Sequence, residues 1–181
     1  MAPASRSLRT GMVGMGMIFD ETYRPFFERV HREGLYERSF GDLNVPLTAV
    51  ATRTGSRAEA YRRASQDKVA DFTSFSGNDS VSQMLKAGVD VACVATPDDR
   101  HFEAAKAILE SGVHVLIEKP SVLDLAQLDE LVAIADRQGL LAKVVYHKLL
   151  DPDHKKLRTF VHDGVLRHLF RASLRRQEAR N

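Results

Sequence analysis

Strand-length runs that are apolar on both faces alternate with segments of helical periodicity, and this alternation limits the fold more than any other feature of the sequence. The strongest runs are Val89 to Thr96 (VDVACVAT) and Val113 to Glu118 (VHVLIE). RTGMVG, ending at Gly14, LTAVAT (Leu47 to Thr52) and LLAKVVYH are further strands, and VADFTS is a weaker one. Such strands belong in a parallel sheet covered on both sides by helices. The expected architecture is α/β, a doubly wound parallel sheet of the Rossmann type, with its ligand crevice at the carboxyl ends of the strands.

The segments between the strands carry helical signals. Asp20 to Arg32 places Phe26, Phe27 and Val30 at helical spacing, and Ser56 is placed to cap GSRAEAYRRAS. DSVSQMLKAG closes at Gly88, and DDRHFEAAKAILESG puts Phe102, Ala105, Ile108 and Leu109 on one side. DLAQLDELVAIADRQG carries Asp124 and Gln127 as a capping box and Gly139 as terminator. Gly34 to Asn44 reads as a loop.

Composition excludes several classes of function. Of 181 residues 28% are charged and the net charge is +2, too small to argue for nucleic acid. From Asp153 to Asn181 there are eight Lys or Arg and three acids, which reads as a solvated, basic end. The single cysteine, Cys93, lies in an apolar run, so no disulfide framework exists and a reducing cytoplasm is expected. No run approaches the roughly 18 apolar residues of a membrane span, and MAPASRSLRT has no apolar signal core. No G-x-S-x-G elbow, P-loop or zinc pattern occurs. DPDH, with His154, His162 and His168 nearby, lacks a recognised ligand spacing, so no metal is expected.

The first strand runs into GMVGMGMIF. In a dinucleotide fingerprint Gly14 permits the tight turn and Gly16 lets a pyrophosphate approach the backbone. Phe19 stands at the third glycine position and would hold the helix further from the strand or reshape the loop. The second strand ends in ATRTGSR with no carboxylate for the ribose hydroxyls. Thr52, Arg53, Thr54, Ser56 and Arg57 stand there instead. Arginine and hydroxyl groups suit a 2′-phosphate, so NADP(H) is favoured and NAD(H) stays open.

VGMGMIF, DVACVATPDDRHFEAAKAILESGVHVLIEKP and the helix and strand that follow resemble the Gfo/Idh/MocA oxidoreductases, over residues 8 to about 165. Thr96-Pro97, His101 and Glu118-Lys119-Pro120 carry the most specific part of the likeness. The resemblance implies an NAD(P)-dependent oxidoreductase acting on a sugar, polyol or related carbonyl compound by hydride transfer. It implies that Gly14, Met15, Gly16, Met17 and Ile18 hold the pyrophosphate, with Arg53 beside the adenosine ribose; Thr52 and Arg57 at the same strand end are counted with the cofactor-binding residues. Thr96 and Pro97 would flank the cofactor and Glu118 would help hold its nicotinamide half. Lys119 would be the catalytic residue, aimed at the substrate carbon, where its charge stabilises developing negative charge or joins a proton relay. His101 is counted with this cofactor edge, its plainer reading being to cap or pack a helix N-terminus. His147 and Lys148 follow the last strand, where the family often has cofactor- or substrate-facing residues, and a surface role stays open.

The resemblance also implies a second, mostly antiparallel half that builds the substrate pocket, supplies an Asp and a His for the relay, and forms the oligomer interface. The expected organisation is therefore a dinucleotide-binding domain over 1–148 and, over 149–181, a crossover helix and short stub of a second α+β domain. DPDHKKLRTFVHDG is its first helix, with Asp151 as N-cap, Pro152 in the first turn and Gly164 as terminator. Leu166, Leu169, Phe170 and Leu174 fall at helical spacing beyond it. The partner expected is a small sugar or polyol, with no nucleic acid and no membrane; a homo-oligomer stays open. Two other readings stay open, a dinucleotide-binding module without turnover and the NAD-dependent glycosidase branch of the same family.

Overall fold

Thr10–Val13 and Val91–Val94 are buried at every position and lie side by side in the middle of a parallel sheet. A computed structural model describes residues 6–39 and 41–165. By its internal contacts the chain divides into two compact units, Met1–Val145 and Tyr146–Asn181.

In the first unit the strands are β1 Arg6–Ser7, β2 Thr10–Val13, β3 Leu35–Glu37, β4 Gly41–Asn44, β5 Leu47–Thr52, β6 Thr73–Ser76, β7 Val91–Val94, β8 His114–Glu118 and β9 Ala142–Val145. The helices are α1 Arg24–Glu33, preceded by a π-turn over Phe19–Tyr23, α2 Ser56–Ser65, α3 Ser80–Lys86, α4 His101–Glu110 and α5 Leu125–Gln138. Six strands form one sheet in the order β6-β5-β2-β7-β8-β9, every pair parallel. This is the doubly wound Rossmann arrangement expected from the sequence.

The residues of the central strands supply two separate cores, as their two-sided apolar character requires. Ala49, Ala51, Ala92, Val94, Val115 and Ile117 join Ile108 and Leu109 of α4 and Leu131 and Ile134 of α5. Met12, Val50, Cys93 and Ala95 join Phe19, Phe27, Tyr61 and Phe72 in the other. Asp124 caps α5 by accepting from the Ala126 amide at 2.7 Å, and Gly139 closes that helix in the left-handed region at φ +64. Arg9 is bound to Asp90 through its main-chain amide and its guanidinium, which fastens the chain before β2 to the chain before β7.

Several local expectations are corrected. Gly34 to Asn44 is not a plain loop: β3 pairs antiparallel with β4, and β4 pairs parallel with β1. These strands are mostly exposed, so main-chain bonding defines them and no apolar pattern announces them. The weak third strand starts later, at Thr73, while Val69 and Phe72 pack in the core ahead of it. Gly55, left-handed at φ +76, rather than Ser56, occupies the N-cap of α2; its amide donates to Thr52 Oγ1 at 3.0 Å. The first long helical segment contains the π-turn, whose extra residue shifts the register of everything before α1.

In the second unit, α6 spans Pro152–His162. Asp151 Oδ1 accepts from the amides of Asp153 at 3.0 Å and His154 at 3.3 Å, the cap expected from the sequence. The His154 side chain and these amides hold the Asp151 carboxyl low, at about 2. The tail pattern of Leu166, Leu169, Phe170 and Leu174 lies outside the described residues. Among the described residues no helix is long and apolar enough to cross a membrane.

Ile108 is fully buried and Leu128 is 37% exposed. Ile108→Ala should cost about 2–5 kcal/mol in urea unfolding, and Leu128→Ala less than about 1 kcal/mol. Equal losses would contradict the assignment of the core. Burial, helped by Glu118, pushes the Cys93 thiol up from 9.0 to about 12. The folded value exceeds the unfolded one, so the stabilisation is complete below about pH 9 and is lost as pH rises through about 12. Burial shifts the Tyr23 and Tyr61 phenols in the same direction. Urea unfolding should show stability declining above about pH 9, with a shallower decline in Cys93→Ala. An unchanged slope would contradict the assignment to Cys93.

Candidate functional site

The winding of the sheet reverses between β2 and β7, because β5 and β6 lie to one side and β8 and β9 to the other. A crevice opens at such a switch point, beyond the carboxyl ends of the two strands. Gly14 sits at its base. Its amide donates to the Ala51 carbonyl at 2.9 Å, and the Ala95 amide donates to the Val13 carbonyl at 2.9 Å. Gly14 has φ +89, and a Cβ there would lie 2.5 Å from the Ala95 carbonyl oxygen. No other residue type fits.

At Gly16 a Cβ would meet nothing within 4 Å, so the loop leaves open space beside its backbone. Helical structure begins at Met17, and the first turn closes when the Asp20 amide donates to the Gly16 carbonyl at 3.3 Å. The amides of Met17, Ile18 and Phe19 therefore have no acceptor within the helix, the usual state of a helix N-terminus. Met15 is buried, Ile18 is half-buried and Met17 is exposed. Phe19 neither blocks the loop nor unseats the helix. It is buried with Met12 and Val50, its ring edge-on to Tyr61 at 5.1 Å.

The end of β5 provides the second part. Thr52 is half-buried and engaged with the Gly55 amide, Arg53 is exposed, and the Arg53 carbonyl accepts from the Gly77 amide at 3.1 Å. The hydroxyls of Thr54 and Ser56 bond each other at 2.9 Å. Arg57 forms an ion pair with Asp20, so its guanidinium is already partnered across the gap between α2 and the π-turn. Arg53 enters none of the ion pairs among the described residues.

The third part lies beyond β7 and β8. Thr96 Oγ1 is buried with no hydrogen-bond partner. Its methyl carbon would be 3.2 Å from a Cβ on Gly14, so the threonine stands directly at the glycine loop. Pro97 is exposed. His101 is 1% exposed, at the first residue of α4. Its Nδ1 lies 2.7 Å from the Pro120 carbonyl oxygen and its Nε2 lies 2.8 Å from the Thr96 carbonyl oxygen. Both partners only accept, so a ring nitrogen that carries the proton donates to its carbonyl. The ring thus joins the loop after β7 to the loop after β8, and its polar atoms are taken up by that task.

Glu118, the last residue of β8, is 5% exposed, and Lys119 next to it is exposed. Tyr23 Oη donates to Glu118 Oε1 at 2.9 Å. Sequence reasoning missed Tyr23. A signal existed, because Tyr23, Phe27 and Val30 are spaced four and three apart and all three are buried. The one-residue excess of the π-turn hides the continuity of that stripe with the glycine loop. His147, Lys148, His154 and His162 belong to the second unit. Among the described residues no group of three or more His, Cys, Asp or Glu could hold a metal.

The structure therefore assembles Gly14 to Ile18, Thr52, Thr96, His101, Glu118 and Lys119 on the carboxyl edge of one sheet, with Arg53 and Arg57 beyond β5. Bare backbone at Gly14 and Gly16, unpaired amides at Met17 to Phe19 and an orphaned Thr96 hydroxyl suit a phosphate-bearing dinucleotide with polar groups of its own.

Known proteins agree with this architecture. The family described as "Oxidoreductase family, NAD-binding Rossmann fold" (GFO_IDH_MocA) matches residues 8–146. D-glucoside 3-dehydrogenase of Escherichia coli is 26% identical over 93% of this chain and 43% of its own length. The dTDP-3,4-didehydro-2,6-dideoxy-alpha-D-glucose 3-reductase of Actinomadura kijaniata is 28% identical over 88% of this chain and 42% of its own. The crystal structure of a 3-ketoreductase from Actinomadura kijaniata, in complex with NADP and TDP-benzene, superposes with a TM-score of 0.71 at 26% identity, covering 88% of this chain and 43% of that one. The chain thus spans less than half the length of these relatives. With the glycine loop, the Thr96-Pro97 turn and the Glu118-Lys119-Pro120 edge all on one sheet, the chain belongs to the Gfo/Idh/MocA family of NAD-binding Rossmann oxidoreductases.

Proposed function

We propose that this chain binds a nicotinamide dinucleotide, NADP(H) in preference to NAD(H), in an oxidoreductase acting on a sugar or polyol. One observation carries the reading: at the switch point of the sheet Gly14 packs without a side chain against the Ala95 carbonyl and the methyl of Thr96, whose buried hydroxyl has no partner, and the space beside Gly16 is open. Gly14 to Ile18 would hold the pyrophosphate on backbone amides, with Thr96, Pro97 and Glu118 along the nicotinamide half. The bound dinucleotide would supply hydride transfer. Lys119, exposed at the same edge, would present its ammonium to the substrate oxygen and stabilise charge that develops there. His101 would hold the two loops that carry Thr96 and Lys119 at a fixed separation.

The preference for NADP(H) rests on charge. From Thr52 to Ala58 the chain has two arginines and no carboxylate. A carboxylate would repel a 2′-phosphate, whereas an unpaired guanidinium binds it in two-pronged fashion. Arg53 suits this better than Arg57, which Asp20 already engages. A related 3-ketoreductase crystallised with NADP points the same way. The sugar class is supported by relatives named as dehydrogenases or reductases at carbon 3 of sugars.

Calorimetric titration tests the cofactor reading. Arg53→Ala should weaken NADPH about tenfold or more and NADH less than about threefold. Equal weakening of both would refute the 2′-phosphate role. Turnover with a panel of sugars and polyols tests the reaction. Lys119→Ala should lower kcat by about 10²–10⁴ and leave the dinucleotide Kd within about threefold. A collapse of dinucleotide affinity would instead make Lys119 a cofactor ligand.

A further inference from the structure

We propose that Tyr23 is a positioning residue for Glu118, fastening the helix of the glycine loop to the Glu118-Lys119 edge across the switch point. The inference rests on the dinucleotide reading above and adds a residue that neither the glycine fingerprint nor the Glu-Lys-Pro edge includes.

Tyr23 closes the π-turn that follows the glycine loop, where the Arg24 amide donates to the Phe19 carbonyl five residues back. A π-turn inserts one residue into an α-helical course, so side chains on either side of it are rotated relative to an uninterrupted helix. Here Tyr23 joins the buried stripe of Phe27 and Val30, and its hydroxyl meets a carboxylate 95 residues away in sequence. Both partners are almost fully buried, Tyr23 at 7% and Glu118 at 5% exposure.

A buried carboxylate is costly unless something donates to it. Glu118 enters no ion pair among the described residues. Its described donor is the Tyr23 phenol, to Oε1. Burial first, then the neighbouring Cys93 and Glu118, keep that phenol protonated well above the ordinary tyrosine range, so it remains a donor. One carboxylate oxygen is thereby fixed, and the other keeps its acceptor capacity. Glu118 is bonded directly to Lys119, so the orientation of the one constrains the backbone of the other. Loss of the phenolic hydroxyl would free the Glu118 carboxylate to rotate and loosen the nicotinamide end of the crevice.

The test is a double-mutant cycle read by NADPH affinity, followed through nicotinamide fluorescence, with thermal unfolding recorded for every variant. Tyr23→Phe keeps the ring and removes only the hydroxyl. It should weaken NADPH roughly tenfold. In a Glu118→Ala background the same change should alter affinity less than about twofold, because its target is gone. Tyr23→His, which restores an N–H donor, should return affinity to within about threefold of the unmodified chain. A purely structural tyrosine would lower the melting temperature alike in both backgrounds and leave affinity unchanged. Unchanged affinity in Tyr23→Phe, or a loss that persists without Glu118, would overturn the inference. If Tyr23→Phe does not fold, Tyr23→Leu takes its place in the cycle: a roughly tenfold loss that vanishes in the Glu118→Ala background supports the inference, and unchanged affinity or a loss that persists there overturns it. If the unmodified chain binds neither NADPH nor NADH, the dinucleotide reading fails and this inference falls with it. Normal binding by the unmodified chain with no effect of Tyr23→Phe defeats this inference only.

Discussion

The close passage of Gly14 beside the Ala95 carbonyl governs the rest of the site. A side chain at residue 14 would collide with that oxygen at 2.5 Å, and the backbone there is in the left-handed region at φ +89. The glycine therefore lets the loop after β2 turn directly over the end of β7. That turn sets where the helix beginning at Met17 starts, and hence where its unpaired amides lie. It also brings Thr96 against the loop, so two chain segments far apart in sequence share one crevice. Any longer side chain would push the loop away from β7 and open the site.

Two further buried contacts complete the edge. His101 spans the loops after β7 and β8 through two carbonyl oxygens. The Tyr23 phenol spans the π-turn and the end of β8. With the Gly14 contact they tie β2, β7 and β8 together at their carboxyl ends, where the sheet's own hydrogen bonds have stopped. The residues that remain exposed there, Met17, Pro97 and Lys119, are held by neighbours that are not exposed. This is the preorganisation that precise orientation of a bound ligand and its substrate demands.

Much of this was readable from sequence because the physics is local. Val89 to Thr96 and Val113 to Glu118 are apolar on both faces, and only a covered parallel sheet accommodates that. Gly14-x-Gly16 after the first such strand named the turn, and Asp151-Pro152 named a helix start. What escaped depends on partners distant in the chain or on main-chain bonding alone. The exposed strands β3 and β4 carry no apolar alternation to betray them. The π-turn leaves no compositional mark, and the partner that gives Tyr23 its role, Glu118, lies 95 residues away. Phe19 read as a departure from the fingerprint because its contact, the ring of Tyr61, lies on α2. Ser56 looked like a cap because a hydroxyl there suits one, yet Gly55 with its positive φ starts the helix.

The most direct test of the account is to map, by two-dimensional amide NMR of the labelled chain, which resonances move as NADPH is added. Saturable shifts confined to Gly14–Ile18, the Thr52–Arg53 turn, Thr96 and the Glu118–Lys119 edge are expected. No shifts at all would contradict this. So would shifts centred elsewhere, such as the groove lined by His31, Arg62, Gln66 and Phe72.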